Sequence, residues 1–99
     1  MTENEYLILD ALQFSSPMHG YQIMKAVDLM TNGKKRLATG HLYPALHELI
    51  EAGLVRVTER VDADAPARRY YEPSEEGRRA GIEVAKDVVR RVMLAPVFS

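Results

Sequence analysis

No cysteine occurs anywhere in the 99 residues, so disulfides and thiolate metal sites are excluded outright. Tryptophan is missing too, and aromatics make up only 7% of the chain, so any flat aromatic platform has to be built from Phe or Tyr. No apolar run approaches the roughly 20 residues that a membrane span needs, and the N-terminus lacks a basic stretch followed by an apolar one. A soluble, cytoplasmic protein with no membrane partner is the expectation. There is no glycine-rich phosphate loop. Ser15, Ser16 and Ser74 all sit where turns or helix caps need them, and no histidine and acid accompany them at a catalytic spacing. His41 and His47 are six positions apart, on different faces of a helix, and His19 lies in another element, so no histidine metal site is expected. The expectation is a chain with no metal, no cofactor and no enzymatic activity.

A large excess of one charge is also lacking: the net charge is −1, which taken alone argues weakly against nucleic acid as a partner. The distribution matters more than the sum. Up to Gly33 the chain carries Glu3, Glu5, Asp10 and Asp28 against Lys25 alone. From Lys34 to Arg60 it carries Lys34, Lys35, Arg36, Arg56 and Arg60 against Glu48, Glu51 and Glu59. Any basic surface must therefore be local and assembled from the second half of the chain.

What is present is a clear succession of elements. The length suits one hydrophobic core, and the 46% apolar content is ordinary for a folded domain. Thr2 and Glu5 form a capping box ahead of Leu7, Ile8, Ala11 and Leu12, a first helix that Ser15-Ser16-Pro17 ends. A second helix is predicted over His19 to Met30, with Ile23, Met24, Val27 and Met30 on its buried face and Asn32-Gly33 closing it. A third helix spans Thr39 to Ala52, with Thr39 as N-cap, Leu42, Leu46, Leu49 and Ile50 as its buried stripe, and Gly53 as its left-handed stop. Pro44 sits about one turn in and should loosen that first turn.

After Gly53 the period changes from helical to alternating. Val55 to Val61 reads as a half-exposed strand, residues 62–67 as a turn, and Arg68 to Glu72 as the returning strand of a hairpin. Ser74 with Glu75 and Glu76 opens a last helix. Along it Ile82, Ala85, Val89 and Val92 fall at spacings of three, four and three, a coiled-coil seam expected to bury itself against a second copy of the chain; Ala95-Pro96 ends that helix. The fold class is therefore mainly α with a small β-hairpin: a winged helix-turn-helix over residues 1–73, with a C-terminal dimerisation helix over 74–99.

Four ordered elements carry a family resemblance. Gly20-Tyr21-Gln22-Ile23 resembles the Gly-Tyr-Glu-Ile element that opens the second helix of PadR-like regulators. Thr39-Gly40-His41-Leu42-Tyr43-Pro44-Ala45-Leu46 resembles their Ser-x-Gly-Thr-Leu-Tyr-Pro-Ala-Leu segment, which opens the recognition helix. Glu51-Ala52-Gly53-Leu54-Val55 is similar to the Gly-Leu-Ile step into the wing, and Arg68-Arg69-Tyr70-Tyr71 with Ser74-Glu75-Glu76-Gly77 to the Arg-Tyr-Tyr and Thr-Glu-Glu-Gly elements that follow it. The likeness runs from about Tyr6 to Gly77. It implies a homodimeric DNA-binding transcriptional regulator, often a repressor and commonly released by a small molecule or stress signal, of the subgroup with a single short C-terminal helix. Two-fold symmetry then predicts a sequence-specific, pseudo-palindromic site. Two departures stand out. His41 replaces the family's threonine after glycine, and the wing tip holds Asp62 and Asp64 where many wings present basic residues.

Candidate duplex-DNA contacts follow from the fit of a helix to the major groove, where its first turns lie nearest the base edges. Thr39, His41, Tyr43 and His47 are those candidates, with helix capping for Thr39 and solvated or packing roles for the other three as alternatives. Lys34, Lys35 and Arg36 precede the helix, either reaching flanking phosphates or forming a solvated loop. Arg68 and Arg69 alternate along a strand, so at most one faces DNA, and Arg68 is the choice. Tyr21 reads as core or junction packing, and the methionines as core filler. A winged-helix adaptor that binds a protein and has no DNA specificity is the alternative function.

Overall fold

The computed structural model describes residues 1–60 and 67–81. Within them the chain forms α1 (Glu3–Phe14), β1 (Met18–His19), α2 (Gly20–Met30), α3 (Thr39–Glu51), β2 (Val55–Arg60) and β3 (Arg68–Pro73). A further helix, α4, occupies residues 75–81. The architecture is mainly helical with a small antiparallel sheet, the winged-helix plan. Asp62 and Asp64 of the wing tip, the seam residues Ile82, Ala85, Val89 and Val92, and the stop at Ala95-Pro96 lie outside the described residues.

Each helix boundary has a local cause. The Thr2 hydroxyl accepts from the Glu5 amide at 3.2 Å while the Glu5 carboxylate accepts from the Thr2 amide at 2.9 Å, closing the capping box. That box holds the Glu5 carboxyl below the usual carboxylate range, its bonds to Thr2 outweighing desolvation. Behind it Ile8, Leu9, Ala11 and Leu12 are buried, the stripe of a helix with one covered face. Both α2 and α3 end in Schellman motifs. After α2, Asn32 and Gly33 take positive φ values of 53° and 75°, and the Gly33 amide donates to the Asp28 carbonyl at 2.8 Å. After α3, Gly53 has φ 76° and the Leu54 amide donates to the Leu49 carbonyl at 2.9 Å.

Two boundaries differ from the sequence expectation. His19 is not the first residue of α2 but its extended N-cap, and Thr39 is not the cap of α3 but its first helical residue. Ala38 opens α3 with no side-chain cap, because buried Leu37 anchors the chain just ahead and both the His41 and Leu42 amides donate to the Ala38 carbonyl at 2.9 Å. The helix continues through Pro44.

The sheet has three strands in the order β1-β3-β2, one more than the expected hairpin. Met18 pairs with Tyr71 and His19 with Tyr70, so the entry to α2 is stitched to the returning strand of the wing. Alternation in β2 does not translate into burial. Val55 is buried, whereas Val57 stays 41% exposed opposite Tyr71. The core is built from Ile8, Leu9, Leu12, Ile23, Val27, Leu42, Leu46 and Leu49, closed over by Val55 and Tyr71. Met30, expected on the buried face of α2, lies exposed at the helix end, while Met24 and Ile50 are half-buried.

The start of α4 is locked onto this core. The Ser74 hydroxyl accepts from the Gly77 amide at 3.0 Å and donates to the Gly53 carbonyl, so one side chain caps α4 and ties it to the end of α3. Gly77 is packed against the Leu54 carbonyl, and its own carbonyl accepts from the Gln13 amide group at 2.7 Å, which fixes α4 to α1 as well.

Candidate nucleic-acid interface

α3 turns Leu42, Ala45, Leu46 and Leu49 inward, which leaves Thr39, Gly40, His41, Tyr43, Pro44, His47 and Glu48 on the outside. That exposed face is not uniform. His41 and Tyr43 are two residues apart, about 200° around a helix, and border different depressions. His41 lies with Thr2, Asn4, Glu5, Pro44 and Glu48 on the side facing the start of α1. Its neighbours include two carboxylates. Tyr43 lies on the opposite side, in a cleft between the N-terminus of α2, α3 and the wing.

The cleft of about 450 Å³ is lined by His19, Gly20, Tyr21, Tyr43, Ala67, Arg68, Arg69 and Tyr71. Its described lining holds two guanidinium groups, an imidazole and three phenols, and no carboxylate. Such a set offers donors and positive charge to an anion. Tyr43 reaches it because Gly20 has no side chain: a Cβ there would stand 2.7 Å from the phenol oxygen. Burial pushes the Tyr71 phenol up from its ordinary value, with Tyr43 adding to the rise and Arg69 opposing it. At neutral pH it therefore stays a neutral donor.

Beside the cleft, rings and cations alternate across α2, β1 and the wing. The Lys25 ammonium stands 5.3 Å from the Tyr21 ring centre, Tyr21 stacks on His19 at 6.5 Å, and His19 meets Tyr70 edge-on at 5.6 Å. Arg60 covers Tyr70 at 4.7 Å, and the Arg68 guanidinium approaches the His19 ring at 3.4 Å.

The residues singled out in the sequence are therefore only partly brought together. Tyr43 and Arg68 share the cleft. Thr39 is exposed at the leading end of α3 and makes no cap, so its hydroxyl is not used by the helix. His47 is exposed one turn beyond Tyr43, with its Nε2 4.0 Å from the Glu51 carboxylate. Of the basic connection, Arg36 pairs with Asp28 at 3.5 Å, while Lys35 is half-buried and its amide donates to the Thr31 hydroxyl at 3.0 Å. Lys34 is exposed. Arg68 and Arg69 both line the cleft, although they are consecutive along β3. Tyr21 is 59% exposed and packs on His19, outside the core.

Sequence reasoning passed over His19 and Gly20 as site residues and set Arg69 aside in favour of Arg68. Only the Gly20-Tyr21 pair carried a signal for this corner. The strand that brings His19 to the wing is two residues long, too short to show alternation.

Over residues 8–83 the sequence matches the family model described as "Transcriptional regulator PadR-like family". No curated protein matches it. Among solved structures, a transcriptional regulator from Clostridium thermocellum superposes with TM-score 0.72 at 18% identity, covering 95% of this chain and 92% of that one. A PadR family transcription regulator from Clostridium difficile gives TM-score 0.76 at 21% identity, with coverage of 93% and 95%. PadR of Bacillus subtilis, in complex with operator DNA, gives TM-score 0.74 at 18% identity. There 86% of this chain is covered but 47% of the other, so the chain spans about half the length of that protein. These identities establish a shared fold.

Proposed function

The chain belongs to the PadR-like family of transcriptional regulators, and on that premise we propose that it acts as a homodimeric repressor on a pseudo-palindromic operator. Each α3 enters a major groove with Thr39 and Tyr43 foremost, His41 toward one edge and His47 further along. Two-fold symmetry sets the half-sites about one helical turn, roughly 10 base pairs, apart. Lys34, Lys35 and Arg36 lie toward the flanking phosphates, Lys34 being the exposed one, and Arg68 with Arg69 meets the backbone from the wing. Residues 74–99 supply the dimer contact through Ile82, Ala85, Val89 and Val92. The protein works in the cytoplasm, and a small molecule or stress signal acting on the dimer releases the DNA.

One observation carries this reading. The exposed polar face of α3 stands directly beside a cleft that has two arginines and no carboxylate in its described lining. A chain of net charge −1 has thus gathered positive charge where a recognition helix needs it. The test is fluorescence anisotropy of the purified protein against the DNA upstream of its own gene and against random duplexes, at two salt concentrations. Tight, salt-sensitive binding to the upstream DNA is expected, with a slope of about −0.9 per phosphate neutralised. A folded protein that binds no duplex under either condition would sink the proposal and favour a protein partner.

A further inference from the structure

His19 is approached on both ring nitrogens by groups that can only donate. Its Nδ1 accepts from the Gln22 backbone amide at 3.4 Å, the cap of α2, and Gln22 returns the bond to the His19 amide at 3.1 Å. Its Nε2 stands 3.4 Å from a terminal nitrogen of Arg68. A backbone amide has no acceptor, and neither has a guanidinium. A neutral imidazole has one lone-pair nitrogen, and the protonated ring has none. One of the two contacts is therefore always donor against donor. In the tautomer that completes the reciprocal box with Gln22, the lone pair is on Nδ1. Nε2 then carries the proton, and it faces Arg68 as a second donor.

The ring sits among other rings. Tyr70 meets it edge-on at 5.6 Å, Tyr21 stacks on it at 6.5 Å, and its backbone is paired with Tyr70 in the sheet. Two donors 3.4 Å apart, at the rim of a cleft also lined by Arg69 and Tyr43, suit one shared anionic oxygen. Such an oxygen can sit about 2.9 Å from both nitrogens and resolve the conflict.

We propose that His19 and Arg68 form a clamp for a single phosphodiester of duplex DNA, gripping one backbone oxygen between the α2 cap and the wing. This rests on the DNA-binding reading above and adds to it a residue outside α3, with a stated partner atom. Arg68 supplies charge and His19 a directed donor, so their losses differ in kind.

His19→Asn tests this without removing the cap, since an asparagine oxygen can accept from the Gln22 amide. Its thermal unfolding should match the parent protein. Its affinity should fall by about tenfold, the order lost with one hydrogen bond to a charged group, by the same factor on every sequence. The salt slope should stay unchanged. Arg68→Gln should also weaken binding, but with the slope reduced by about 0.9. The double variant should lose little more than Arg68→Gln alone, because the clamp is shared.

A walk of single methylphosphonates along the operator adds an independent reading. One position should lower the parent to the level of the double variant while leaving the double variant unaffected, with His19→Asn still weakened there through Arg68. Two results overturn the clamp while DNA binding stands: a folded His19→Asn with parental affinity, or losses from the two single variants that simply add. Inorganic phosphate that competes beyond its ionic strength would reassign the site to a free anion. A parent protein that binds no duplex would remove both the clamp and the function it rests on.

Discussion

Gly77→Ala would place a methyl group inside the van der Waals boundary of the Leu54 carbonyl oxygen, a backbone atom held by the turn after α3. Helix propensity favours the change by about 1 kcal/mol, but forcing α4 away from the turn after α3 costs roughly 1–3 kcal/mol or more, so the clash wins. Urea denaturation should show a clear net loss of stability. Gly20→Ala meets a different neighbour, the phenol end of Tyr43 at 2.7 Å, which can swing aside. Here stability should move by less than about 1 kcal/mol while DNA affinity drops, because Tyr43 leaves the cleft. If Gly20→Ala unfolds the protein, or leaves DNA binding untouched, Tyr43 is not the residue through which that position acts. Asp10 supplies a residue-scale pH effect. Burial raises its carboxyl above the usual value, so the folded state holds its proton more tightly than the unfolded chain. Stability from this group is then lost as pH rises from the ordinary carboxylate value through the raised one. Asp10→Asn should melt higher than the parent at pH 7, and the gap should close on acidification. A gap that widens instead would mean the carboxylate has a stabilising partner.

Among the elements, α3 is the one helix with a fully described start and no side-chain cap. α1 has Thr2 with Glu5, and α2 has His19 with Gln22. Ala38→Ser should fill that gap and raise stability by about 0.5–1 kcal/mol. Ala38→Asp should do so as well, with added help from the helix dipole, yet it sets a negative charge at the leading end of the recognition helix. Both variants should unfold at higher urea, and only Ala38→Asp should bind DNA more weakly. Equal affinity for the two would mean that this end of α3 does not approach the DNA backbone. The same element shows what a sequence can and cannot disclose. The stripe Leu42, Leu46 and Leu49 and the stop at Gly53 follow from periodicity and from the residue that tolerates positive φ, so the helix was legible to within a residue. Its opening was misassigned because a threonine is a good cap in isolation, whereas buried Leu37 and the Ala38 carbonyl decide where the helix begins. β1 was invisible because two residues carry no period. With it went the junction that places His19 against Arg68, a contact spanning 49 positions that no local pattern encodes. Tyr43 and Arg68 could be found, since each lies in a motif with its own local signature.

At the scale of the molecule, the proposed dimer makes affinity a matter of joining two such units. A single winged helix presents one α3 and one arginine-lined cleft, and a net charge of −1 leaves it little long-range attraction to DNA. Two units held at a fixed spacing turn the second encounter into an intramolecular one, which multiplies affinity without any new contact. The apolar residues Ile82, Ala85, Val89 and Val92 are the proposed means of joining them. Val89→Asp puts a carboxylate into an apolar interface, where an unpaired charge costs on the order of several kcal/mol. Sedimentation should then report a monomer at concentrations where the parent is dimeric. Because Ser74, Gly77 and Gln13 already fasten the start of α4 to the core, the winged helix should keep its far-ultraviolet dichroism. Binding to a full operator should collapse to the weak affinity shown for an isolated half-site, with the preference among half-site sequences retained. A Val89→Asp protein that remains dimeric would move the interface elsewhere on the chain. A monomer that still bound the full operator at parental strength would show that one α3 and one clamp suffice.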